Sequence, residues 1–158
     1  MKMIQAYPHI KDNLEAVRAR IASASRHAGR SEQETQLIAV SKKFSEESIR
    51  HAFASGQRRF GENYIQEASV KIDNLSDLSI EWHFIGPIQS NKTRQVAEHF
   101  DWAHTVDRLK IAERLNNQRP ASLPPLQVCI QVNIDQQESK GGCTATEAIA
   151  LAKAIGQL

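Results

Sequence analysis

An amine at the C-terminal end of a strand can attack an aldehyde, and Lys42 is the residue of this chain in that position. The apolar segment Leu37-Ile38-Ala39-Val40 gives way to Ser41-Lys42-Lys43. Alternate side chains of a strand share a face, so Ile38, Val40 and Lys42 fall on one side and Leu37, Ala39 and Ser41 on the other. Lys43 then points away from Lys42, provided the extended geometry persists past the strand end. Partial burial and a neighbouring cation would both favour the neutral amine, the nucleophilic form. The competing reading makes Lys42 and Lys43 two solvated lysines after a strand.

Other polar residues gather at comparable places. A second apolar run leads into Gly61-Glu62-Asn63-Tyr64, and a third carries His83-Phe84-Ile85-Gly86-Pro87 followed by Gln89-Ser90-Asn91-Lys92. Asn63 is either the cap of the helix that follows or a ligand contact, and His83 either a hydrogen-bonded core histidine or a ligand contact. Cys129, Gln131 and Asn133 alternate with Val128, Ile130, Val132 and Ile134. The aliphatic set must pack on helices, which sends the two amides to the inner face, where a polar ligand or water could satisfy them. Gly86-Pro87 shapes a turn, and Trp82 and Trp102 are expected between sheet and helices. No spacing rule pairs Glu81 with Asp101 as acid and base, so no catalytic residue is assigned.

These residues need elements to hold them. Ile10, Leu14, Val17, Ile21, Ala24 and Ala28 recur at helical spacing, with Pro8 before the run and Gly29 at the place of a left-handed C-cap. This leading helix covers residues 9–29. Over residues 36–158, strand-like runs at 36–41, 58–61, 81–85, 102–106 and 126–134 alternate with helical patterns at 46–54, 64–75, 91–99, 107–117 and 144–156. Ser45 and Asp107 sit where helix N-caps belong. Strict βα alternation predicts a parallel sheet with right-handed crossovers in a single domain over 1–158. Ligands meet such sheets at the C-terminal ends of the strands. No GxGxxG or GxxxxGK[ST] is present, and Gly141-Gly142 reads as a loop. Doubly wound sheet and barrel both stay open on this pattern.

Composition narrows the classes. Lys plus Arg number 20 against 18 Asp plus Glu in 158 residues, a net charge of +2, too balanced for a nucleic-acid groove or a membrane-attracted surface. The pair Arg58-Arg59 reads as solvated surface. Cys129 and Cys143 have neither a CxxC nor a nearby histidine partner, so neither a disulfide framework nor a metal site is expected. No segment approaches the ~20 apolar residues of a membrane span, and the first ten residues lack a signal-peptide pattern. A cytoplasmic setting is expected.

Four motifs in order carry a resemblance that runs through essentially the whole chain. They are Ala39-Val40-Ser41-Lys42, then Phe60-Gly61-Glu62-Asn63-Tyr64-Ile65-Gln66-Glu67, then Trp82-His83-Phe84-Ile85-Gly86-Pro87-Ile88-Gln89-Ser90-Asn91-Lys92, and Asn133-Ile134 through Glu138-Ser139-Lys140-Gly141. Together they resemble the pyridoxal phosphate homeostasis protein family. The resemblance implies a (β/α) TIM barrel of the alanine racemase N-terminal type, with pyridoxal 5′-phosphate held as a Schiff base on Lys42; Asn63 and His83, at the ends of neighbouring strands, are the further candidate cofactor-binding residues. It implies a carrier in vitamin B6 and amino-acid homeostasis, with apo forms of pyridoxal phosphate enzymes as recipients, and no defined reaction. A racemase- or decarboxylase-like enzyme with His83 as proton carrier, and a structural fragment without a site, are the alternatives.

Family members continue for several more strands, whose loops hold the cofactor phosphate. A closed barrel takes eight strands and about 250 residues, against five βα units here. The barrel is therefore expected to be incomplete and C-terminally truncated, with weak cofactor binding. Unpaired strand edges and an exposed apolar interior would make the chain unstable alone or self-associating.

Overall fold

The computed structural model describes residues 8–158. Among these residues, five strands and five helices alternate after a leading helix: α1 (Pro8–His27), β1 (Ala39–Val40), α2 (Glu46–Ala54), β2 (Arg59–Glu62), α3 (Ile65–Asn74), β3 (Glu81–Phe84), α4 (Thr93–His99), β4 (Trp102–Val106), α5 (Leu109–Gln118), β5 (Gln127–Ile130) and α6 (Ala145–Ile155). All four strand pairings are parallel, and the spatial order is β1-β2-β3-β4-β5. A doubly wound sheet reverses its order at a switch point. Here the order never reverses, so right-handed crossovers place every connecting helix on the same face. That is the winding of a barrel, and it settles the choice the alternation left open.

Local chemistry sets the element ends. Gly29 has φ of 65°, and Arg30 N–H donates to Ser25 O at 2.9 Å, so α1 closes with the left-handed cap expected at Gly29. Ser45 caps α2 by accepting from Ser48 N–H. Asp107 does not cap α5: its carboxylate turns to Arg108 and the cap position falls on Arg108. The edge strands are shorter than their apolar runs. Among the described residues β1 has one neighbour, and β5 gives up its ladder after Ile130, because Cys143 N–H donates to Gln131 O and Asn133 N–H to Cys143 O.

The core lies between sheet and helices. Phe60, Phe84, Phe100, Leu75, Val96, Val106, Ile111 and Leu115 are fully buried there, with Phe84 and Phe100 edge to face at 5.1 Å. Leu37 and Ala39 pack against this core as the alternation requires, which leaves Ile38 and Val40 on the helix-free face, where Val40 is 46% exposed. Trp82 is a core residue tilted against Phe60. Trp102 is not: it stacks on His83, the strand neighbour of Trp82, and so faces the helix-free side. Among the described residues, no helix is long and apolar enough to cross a membrane.

Candidate functional site

Lys42 sits in a tight turn at the C-terminal end of β1. Ser41 N–H still donates to Gly61 O at 2.9 Å, and then the chain reverses, with Phe44 N–H donating to Ser41 O at 3.0 Å. Lys43 holds φ of 64°, the left-handed conformation at the third position of the turn. Extension therefore stops at Ser41, and strand alternation does not decide where Lys43 points. Lys42 is exposed, not partly buried as expected from its position at the strand end. It forms no hydrogen bond or ion pair with another described residue.

Beneath this turn lies a buried ion cluster that the motifs did not reveal. Lys71 of α3 is 5% exposed, and its Nζ donates to Ser41 O at 2.9 Å, Glu62 Oε1 at 2.9 Å and Glu67 Oε1 at 2.6 Å. Glu62 is fully buried and also accepts from Ser41 Oγ at 2.7 Å. Glu67 Oε1 accepts from Lys43 N–H at 2.8 Å. The hydrogen bond from Lys71 holds the Glu67 carboxyl below its ordinary range, against a smaller opposing effect of burial. A signal was present in the sequence. Glu62 shares the core side of β2 with Phe60, and Lys71 falls in the stripe of Ile65, Ala68 and Leu75, so each is a charge where an apolar residue belongs.

Asn63 follows β2 and does not cap α3, whose cap position is Tyr64 with no side-chain bond. Its Oδ1 is buried and has no hydrogen-bond partner among the described residues. The backbone of Asn63 crosses that of Gly86 so closely that a Cβ on Gly86 would lie 2.3 Å from Asn63 O. The glycine of the Gly86-Pro87 turn thus permits the close approach of the β2 and β3 ends.

On the helix-free face, Arg59 Nε donates to Glu81 Oε1 at 2.9 Å, and the same oxygen lies 2.9 Å from His83 Nε2. His83 Nδ1 in turn lies 2.9 Å from His104 Nε2. Arg59 is thus an internal partner of the sheet face, and Arg58 stacks its guanidinium 3.8 Å from the Phe53 ring centre, so neither arginine is merely solvated. His83 is 3% exposed with both ring nitrogens engaged, and burial lowers its pKa despite the opposing charge of Glu81. Burial also lowers that of His104.

The register aligns Val40, Gly61, His83 and Trp102 across four strands. One step further along β2 and β3 lie Glu62 and Phe84, which are fully buried, and Ile85 returns to the helix-free side, where its Cδ1 stands 3.2 Å from the place of a Cβ on Gly61. Gln131 and Asn133 do not wait for a ligand: Gln131 Nε2 donates to Gly141 O at 2.8 Å, and Asn133 Nδ2 to Gln137 O at 2.9 Å and Lys140 O at 3.2 Å. Their amides hold the loop that carries Gly141 and Gly142.

A singly wound parallel sheet with a lysine turn at the end of its first strand defines the class: the N-terminal part of an alanine-racemase-type (β/α) barrel. The chain belongs to the family described as alanine racemase, N-terminal domain, whose model matches residues 13–158. It is 56% identical over 149 residues to a pyridoxal phosphate homeostasis protein of Pseudomonas aeruginosa, covering 94% of this chain and 65% of the relative. A protein of the same name from Escherichia coli K12 is 53% identical over 152 residues, again with 94% and 65% covered. The resemblance carried by the four motifs is borne out, and the chain spans 65% of the length of these curated relatives.

Solved structures agree. PipY of Synechococcus elongatus PCC7942 without PLP superposes with a TM-score of 0.81 at 37% identity, covering 94% of this chain and 65% of that one. PipY with PLP bound gives 0.72 at 38% identity, covering 89% and 65%. The fold expected from the resemblance, an incomplete barrel of the alanine racemase N-terminal type, is the fold observed.

Proposed function

We propose that this chain carries the anchoring part of a pyridoxal 5′-phosphate carrier that serves vitamin B6 and amino-acid homeostasis, with Lys42 as the covalent anchor. The observation that carries the reading is Lys42 itself: an exposed amine without a partner among the described residues, at the strand end where ligands of this fold bind. The residues around it fit the group. Asn63 offers a buried acceptor with no partner among the described residues, and Gly61 lets Ile38 and Ile85 close over the sheet face, within 3.3 Å and 3.2 Å of where a Cβ would stand. When bound, the cofactor supplies an aldehyde, with which the Lys42 amine forms a reversible C=N link as one water leaves.

Asn63 Oδ1 is read as accepting a hydrogen bond from a ligand donor. His83 is read as part of the wall behind the ligand, since both its nitrogens are already engaged and its ring lies flat against Trp102. A carrier is favoured over a racemase or decarboxylase because none of the described acid or base side chains engages Lys42. Barrels of this class place phosphate near their last strands. Within the five strands described here, the covalent link to Lys42 is read as the main hold on the cofactor. Apo enzymes that use the cofactor are the recipients in this reading, and the β1 and β5 edges favour self-association. The setting is the cytoplasm, with Cys129 and Cys143 as free thiols.

The test is direct. The chain is mixed with pyridoxal phosphate, followed by absorbance, reduced with borohydride and mapped. One modified peptide carrying Lys42, lost in Lys42→Ala and kept in Lys43→Ala, supports the anchor. Scattered labelling of surface lysines would sink it.

A further inference from the structure

We propose that Lys71, with Glu62 and Glu67, is a positioning cluster that fixes the Ser41–Phe44 turn and thereby selects Lys42 over Lys43 as the reacting amine. The inference rests on Lys42 being the anchor and adds the residues that make it so. Lys42 and Lys43 are adjacent, exposed and chemically identical. Only the turn distinguishes them.

The cluster grips the turn on both sides of Lys42. The carbonyl before it, Ser41 O, accepts from Lys71 Nζ at 2.9 Å, and the amide after it, Lys43 N–H, donates to Glu67 Oε1 at 2.8 Å. Lys71 and Glu67 are one turn apart on α3 and bonded to each other at 2.6 Å. Glu62 fixes Lys71 from the sheet side at 2.9 Å and Ser41 Oγ at 2.7 Å. One helix and one strand therefore hold both peptide groups that flank the anchor.

Stability does not account for this arrangement. A buried ion pair gains little over apolar side chains of similar volume, because desolvation cancels much of the attraction. Apolar residues at 62 and 71 would continue the packing of Phe60, Ala68 and Leu75. What ions supply there and apolar groups cannot is a set of directed bonds to Ser41 O and, through Glu67, to Lys43 N–H. Their product is the geometry of the turn.

The test uses this chain with Lys71→Met, Glu67→Ala and Glu67→Gln, treated with pyridoxal phosphate, reduced and mapped for the ratio of Lys42 to Lys43 modification. The ratio is expected to fall about fivefold or more in Lys71→Met and Glu67→Ala, since small misplacements of a reacting group are costly. Hydrogen exchange at the Lys43 amide should rise about tenfold in the same two variants. Glu67→Gln keeps an oxygen for Lys43 N–H and should stay near the parent in both readings. Glu67 is part-exposed, so its variants report even if Lys71→Met fails to fold. An unchanged ratio or unchanged exchange in folded Glu67→Ala overturns the proposal. If the parent chain is not labelled at Lys42, the anchor reading falls, and exchange at Lys43 alone then decides the cluster.

Discussion

His83 Nδ1 and His104 Nε2 lie 2.9 Å apart, so one imidazole donates a proton and the other accepts it. Two imidazolium rings could not share that contact. Burial lowers both pKa values, and for His83 the charges of His104 and Arg59 add to it while Glu81 opposes. A histidine with a depressed folded pKa binds its proton more readily unfolded. The stability it contributes is therefore present above the ordinary histidine value of about 6.5 and lost as pH falls below it. The melting temperature is expected to drop between pH 7.5 and 5.5, and His104→Phe should flatten that slope. The lowered carboxyl of Glu67 acts in a separate window, below about pH 4.5.

Asn63 separates a ligand contact from a structural amide. Its Oδ1 is buried with no hydrogen-bond partner among the described residues, so the folded chain already bears the desolvation cost of that oxygen. Asn63→Ala is expected to change unfolding free energy by no more than about 0.5 kcal/mol in urea titrations. Borohydride-trapped labelling at Lys42 should fall several-fold in the same protein. A large stability loss with unchanged labelling would make Asn63 a structural residue.

Gly86 predicts a sharp contrast between glycines. A Cβ there would lie 2.3 Å from Asn63 O and 2.9 Å from Asn63 Cα, all backbone that cannot swing aside. Gly86→Ala is expected to destabilise by about 1–3 kcal/mol, since overpacking against fixed atoms moves the strand ends. At Gly156, φ is −66° and the nearest atoms stand at 3.5 Å, an ordinary contact. Gly156→Ala should be neutral or stabilising by about 0.4–1 kcal/mol, through the unfolded chain. Denaturation midpoints of the two variants check both signs.

The winding of this fold was legible because strands and helices differ in period. Five apolar runs and the helical stripes between them recur almost where the elements stand, and Gly29 and Ser45 end or begin helices as their chemistry requires. What alternation could not show is where it stops. Lys42 was placed on a face by extending β1 two residues past its last paired strand residue, yet the turn at Ser41–Phe44 intervenes. Asp107 failed as a cap because Arg108 offered its carboxylate a closer partner. Trp102 was assigned to the core by size alone, while its register with His83 places it on the opposite face. Lys71 lies outside the four motifs: the apolar stripe marks it as a charge out of place, but its pairing with Glu62 is tertiary.

The Glu62–Lys71 pair yields a double-mutant cycle with an unusual expected outcome. Both side chains are almost wholly buried, and Nζ and Oε1 are 2.9 Å apart. Lys71→Met alone leaves the Glu62 carboxylate buried with only Ser41 Oγ as a donor, and removing one partner of such a pair costs about 3–5 kcal/mol. Glu62→Leu alone costs less, because Lys71 keeps Ser41 O and Glu67 as acceptors. The double variant Glu62→Leu/Lys71→Met removes both buried charges and extends the apolar packing of Phe60, Ala68 and Leu75. Its stability is expected to return to within about 1–2 kcal/mol of the parent, which makes the two losses strongly non-additive. Urea titrations of the four proteins give the coupling energy. Additive losses would mean that the charges act independently and that each is satisfied by other groups.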